Sequence, residues 1–185
     1  FWEEPVPTSV PRDIALPQRW RDSLALVVQG VRRCGKSTML TQMIERYGLN
    51  PRHCAFLNFE DPRLGQRIDH SLLDAWVAAF RAAHPRIKKA YFFLDEVQSV
   101  AGWEKWLRTQ LDRPKDNYFV VTGSNAQLLS GELSGTLTGR HLTVELFPFD
   151  LGEFRQVHSK GSLEDYLEAG GFPEPILLKG GDRLR

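Results

Sequence analysis

The residues with the clearest chemistry lie in GVRRCGKST, Gly30 to Thr38, directly after the apolar run Leu24 to Val28. Gly30 and Gly35 bracket Val31, Arg32, Arg33 and Cys34, and Lys36, Ser37 and Thr38 follow. Two glycines at this spacing before Lys and a hydroxyl form a phosphate-binding loop. The glycines let successive amides point inward at phosphate oxygens, and a helix opening near Ser37 adds its positive end. Lys36 supplies a compact charge to the outer phosphates, and the Ser37 hydroxyl is a Mg²⁺ ligand. All of Gly30–Thr38 is therefore the candidate nucleotide-binding segment. The Arg32 and Arg33 side chains read as solvated, and Cys34 as a small filler rather than an activated thiol.

A second set decides whether a phosphate is held or cut. In KKAYFFLDE, Asp95 and Glu96 follow an apolar strand at the edge where parallel sheets bind ligands. Asp95 is placed to hold Mg²⁺ through water, and Glu96 to orient and deprotonate a water attacking the terminal phosphate. Kinases and GTPases have less use for that Glu, and the guanine-reading Asn-Lys-x-Asp pattern is missing. Glu60 and Asp61, after another strand, are rival carboxylates. Thr122, Ser124 and Asn125, after YFVV, can hold the attacking water and report the γ-phosphate. Arg140, just before the last strand, could reach a neighbouring subunit's nucleotide.

These residues need elements to position them. Strand-length apolar runs occur at Leu24–Val28, Cys54–Phe59, Ala90–Leu94, Tyr118–Val121 and His141–Leu146. Helical stripes fall between them: Met39, Leu40, Met43, Ile44 and Tyr47; Leu72, Leu73, Trp76, Val77 and Phe80; Trp103, Trp106, Leu107 and Leu111. The alternation predicts an α/β three-layer sandwich with a mostly parallel sheet. The proline-rich residues 1–20 read as an extended lead-in rather than a packed element. Residues 21–147 form the core. Residues 148–185 begin a helical module, with one helix opened by Ser162 and closed by Gly170.

Composition narrows the class. Lys plus Arg number 24 against 23 Asp plus Glu, and a net charge of +1 gives no field that would gather nucleic acid or an anionic membrane. Two cysteines, Cys34 and Cys54, favour reduced thiols and a cytoplasmic setting. No apolar run approaches the roughly 20 residues of a membrane span. The start at Phe1 and the Gly-rich charged end read as parts of a longer protein.

Taken together, GVRRCGKST, LNFEDP, FFLDEVQ with GWEKWLR, VVTGSN, Gly139-Arg140, ELFPFDLGEF and YLEAGGFPE resemble the AAA-like P-loop ATPases of the additional-strand, catalytic-Glu division. The resemblance implies a P-loop NTPase with five strands, the sensor strand lying between the phosphate-loop strand and the Asp-Glu strand. It implies ATP and Mg²⁺ as cofactors, Lys36 and Ser37 as phosphate and metal ligands, Asp95 as the metal-side acid and Glu96 as the base. Ser124 or Asn125 would be the sensor and Arg140 a trans-acting arginine in a homo-oligomer. The expected function is ATP hydrolysis coupled to a conformational change of a C-terminal effector domain with an unknown protein partner. A nucleotide-switched binding module with little turnover is one rival. A DNA-handling motor using Arg86–Lys89 and the twin Trp103 and Trp106 is another.

Overall fold

The computed structural model describes residues 9–18, 20–65, 68–113, 116–124 and 135–178. Its main sheet has five strands, all parallel: β1 (Ala25–Gly30), β2 (Cys54–Asn58), β4 (Ala90–Asp95), β6 (Asn117–Gly123) and β7 (His141–Leu146). The order β2-β4-β6-β1-β7 inserts β6 between the loop strand β1 and the acid-bearing β4, as expected. A two-residue parallel pair, β3 (Ile68–Asp69) with β5 (Val100–Ala101), stands apart and is too short to register as a sequence pattern.

The strands are apolar on consecutive residues because both faces of the sheet are covered, and their period of two sorts the side chains. Ala25 and Val27 pack with Phe92, Leu94, Phe119 and Val121 against α2 (His70–Ala83) and α3 (Trp103–Leu111). Leu26 and Val28 face the other way with Phe93 and Val120, against Met39, Leu40, Met43 and Ile44 of α1 (Lys36–Arg46). Trp103 and Trp106 are each 4% exposed. Their rings belong to the core and are not free to stack on bases.

Three short helices follow: α4 (Leu151–Val157), α5 (Leu163–Ala169) and α6 (Pro173–Leu177). Reciprocal capping boxes open α4, through Asp150 and Glu153, and α5, through Ser162 and Asp165; Gly170 ends α5 at φ 72°. Phe149, Phe154 and Ile176 form a small core of their own, and Val10 of the lead-in joins it.

That last contact corrects one expectation. Residues 9–17 have no regular structure, yet they pack closely. Gln42 of α1 donates to the Val10 carbonyl at 2.7 Å and accepts from the Arg12 amide at 3.2 Å, while Arg46 holds the Arg12 and Ile14 carbonyls. Pro11 and Pro17 have no amide to donate and the segment joins no helix or strand, so side chains of α1 bond its backbone groups instead.

Candidate functional site

The phosphate loop joins β1 to α1. Gly30 has no room for a side chain, since a Cβ there would sit 2.3 Å from the Leu146 carbonyl oxygen and 2.7 Å from the Cys34 sulfur. Gly35 adopts φ 99° as the residue before α1, and Arg33 is also left-handed at φ 66°. Side-chain oxygens cap α2, α4 and α5, but none among the described residues caps α1. α3 and α6 lack such a cap as well; what suits the first-turn amides of α1 to an anion is their place directly after the glycine-bearing loop. Cys34 is fully buried, and burial pushes its thiol up despite Lys36 and Arg12 nearby, as suits a filler. Arg32 and Arg33 are exposed, as expected, with ion pairs to Glu60 at 2.8 Å and Glu174 at 3.8 Å. Val31, Ser37 and Thr38 are also exposed.

Lys36 and the two acids converge. The Lys36 ammonium is nearly enclosed, donating to the Gly30 and Val31 carbonyls at 3.3 Å each and meeting Glu96 Oε1 at 3.1 Å. Ser37 Oγ donates to Asp95 Oδ2 at 2.6 Å, and Thr122 Oγ1 to Asp95 Oδ1 at 2.5 Å. Asp95 has no exposed surface; burial raises its pKa, opposed by these two hydroxyls. Thr122 also accepts from the Glu96 amide at 2.9 Å, so it organises the acids rather than a water. Glu96 adopts a left-handed backbone, φ 53° and ψ 48°, costing about 1–3 kcal/mol for a residue with a side chain. One carboxylate oxygen is turned onto Lys36 and the other accepts from Gln98 at 2.6 Å.

The rival carboxylates lie elsewhere. Asp61 caps the following 3-10 turn and clamps Arg63, which lowers its pKa to about 2. Glu60 faces Arg32 at the loop's outer surface. Ser124 follows Gly123, which pairs with Gln29, so it sits beside the start of the loop. Asn125 lies outside the described residues. Arg140 stands before β7, whose other end pairs Leu146 with Gly30. Six strand residues, about 20 Å, therefore separate it from its own loop. It forms an ion pair with Asp112.

Sequence reading missed two residues under the loop. Arg12 of the strap donates to the Cys34 carbonyl at 2.8 Å and pairs with Glu153 of α4 at 2.8 Å. Glu153 is 141 positions away, beyond any local pattern. Alongside, a cavity of about 90 Å³ is lined by Val10, Gly35, Thr38, Phe149, Pro173 and Leu177, among others.

Residues 22–155 match the AAA domain family. The chain belongs to that family. This AAA domain is 34% identical to an uncharacterized protein of Haemophilus influenzae, covering 82% of the chain and 40% of the relative. It is 32% identical to an uncharacterized protein of Methanocaldococcus jannaschii, covering 82% of the chain and 36% of that relative. The chain thus spans well under half the length of either. A DNA polymerase III gamma subunit-related protein from Thermotoga maritima shares the fold, with a TM-score of 0.51, 13% identity, and coverage of 80% of this chain and 48% of that one. Membership of the AAA domain family points to nucleotide binding.

Proposed function

We propose that the protein binds ATP and hydrolyses it in a Mg²⁺-dependent reaction, coupling turnover to movement of a C-terminal effector region. The observation that carries this reading is the meeting of Asp95, at the end of β4, and Glu96, just after it, with the loop's Ser and Lys, at 2.6 and 3.1 Å. A loop that only held phosphate would need Lys36 and the helix amides but no Glu beside them.

Ser37 and Asp95 fit a hard cation: both present oxygens, and Asp95 is a buried carboxylate with hydroxyl partners and, among the described residues, no direct cationic one. Among the described residues no cluster of three or more acidic, His or Cys side chains could cage a metal. One carboxylate, one hydroxyl and substrate phosphates are the ordinary Mg²⁺ set. Bound there, Mg²⁺ would neutralise charge developing on the phosphate oxygens. Phosphate arriving at Lys36 competes for the ammonium and frees Glu96, which accepts the proton of the attacking water. The Lys36 charge and the α1 amides then stabilise the transferring group. Ser124 or Asn125 would sense the γ-phosphate.

The test is Glu96→Gln. We expect ATP affinity to be kept and phosphate release to fall about 10²- to 10⁴-fold, the usual contribution of a general base. Undiminished release would remove Glu96 from this role.

One observation favours slow, switch-like turnover as a second reading: Arg140 is engaged by Asp112 of its own chain. Unless a homo-oligomer draws it away, a nucleotide-switched binding module is what remains. No helix among the described residues is long and apolar enough to cross a membrane, and Cys34 and Cys54 are buried thiols not joined in a disulfide. A cytoplasmic location suits both facts.

A further inference from the structure

Arg12 is 8% exposed, and its side chain uses every nitrogen. Nε pairs with Glu153 Oε1 at 2.8 Å, Nη1 donates to the Cys34 carbonyl at 2.8 Å, and Nη2 to the Phe147 carbonyl at 2.5 Å. The Phe149 ring lies 4.9 Å from the guanidinium carbon. Glu153 is equally committed. Its Oε1 also accepts the Asp13 amide at 2.9 Å, and its Oε2 closes the α4 capping box from the Asp150 amide at 3.1 Å. Three chain segments, the strap, the phosphate loop and the start of α4, thus meet at one buried ion pair.

The consequence follows from peptide geometry. The carbonyl of Cys34 and the amide of Gly35 belong to one planar unit and point in opposite directions. Holding that carbonyl from behind directs the Gly35 N–H away from Arg12, towards the loop's anion-binding side. The charge on the donor also polarises the peptide and strengthens that N–H. Gly35 has almost no torsional preference of its own, so the unit needs an external hold. Lys36 does not supply it, because its ammonium reaches Gly30 and Val31.

We propose that Arg12, fixed by Glu153, is the positioning residue of the phosphate loop, so that nucleotide affinity depends on a pair contributed by the strap and α4. It rests on the nucleotide-binding reading but not on hydrolysis. The pair also gives the loop a mechanical link to α4: a loop that tightens on phosphate pulls on the Cys34 carbonyl, and Arg12 passes that pull to Glu153.

Binding of the fluorescent analogue mant-ATP tests this, with Lys36→Ala as the control that loses the site. Arg12→Gln should weaken binding about tenfold to hundredfold, the scale of one charge-assisted hydrogen bond with its buried partner left behind. Arg12→Lys, which keeps the charge but not the fork, should recover part of the loss. A folded Arg12→Gln protein with wild-type affinity overturns the proposal while leaving the site reading intact. Should that variant not fold, hydrogen exchange on the wild type decides. Saturating ATP should slow exchange in 9–14 and 150–157 together with 31–38. Protection confined to the loop overturns the proposal. A wild type that binds mant-ATP no better than Lys36→Ala overturns the site reading and this inference with it.

Discussion

Lys36 faces two kinds of partner, and the contrast between Glu96 and Glu60 turns on it. Glu96 reaches the ammonium at 3.1 Å, whereas Glu60 is half-exposed and engaged by Arg32. Glu60→Gln should leave phosphate release within about twofold of wild type, since an exposed ion pair contributes little; a loss as large as that of Glu96→Gln would move the base to Glu60. Thr122 supports the acids from below. Thr122→Val keeps the shape but leaves Asp95 Oδ1 buried without its donor, so stability should fall by about 1–3 kcal/mol in urea unfolding. No change in the unfolding midpoint would show that Asp95 finds another partner. The thiols differ from these groups in being inert. Burial pushes Cys54 up to about 12 and raises Cys34 as well, so both stay protonated at pH 8 and alkylation of the native protein should be slow until it unfolds.

At the scale of elements, Gly30 ties the loop to the sheet. Its missing Cβ leaves space for the Leu146 carbonyl, and strand backbone cannot retreat as a side-chain end can. Gly30→Ala should therefore separate β1 from β7 locally, costing about 1–3 kcal/mol, and should weaken ATP binding. Unchanged binding would mean the loop is set independently of β7. The five strands and three long helices were legible because a strand buried on both faces must be apolar throughout, and an amphipathic helix must carry a stripe. The loop and the Asp95-Glu96 pair were legible because their chemistry is local in sequence. Other features depend on distant residues. The strap looked unstructured because proline content reports lost amide donors, not what Gln42 and Arg46 do for the carbonyls. Thr122 read as a water holder because its position did not show that Asp95 lies beside it. The Arg12–Glu153 pair left no signal, since neither residue type is diagnostic and the register between them is set by folding alone.

At the scale of the whole molecule, the parallel sheet separates two chemistries. The phosphate loop, Asp95 and Glu96 lie at the carboxyl edge, and Arg140 lies at the amino edge with Arg108 and Asp112. An arginine there can act only on another copy's nucleotide. If it does, specific turnover rises with protein concentration, and Arg140→Ala removes that rise while sparing ATP affinity. Concentration-independent turnover in both proteins would exclude a trans role.

The most direct test of the central claim is phosphate release from Mg²⁺-ATP by the wild-type chain, with Lys36→Ala measured alongside. Release that scales with wild-type protein, needs Mg²⁺ and vanishes in Lys36→Ala is the result expected of an ATPase built on this site. Tight ATP binding by the wild type with release no greater than that of Lys36→Ala would contradict it.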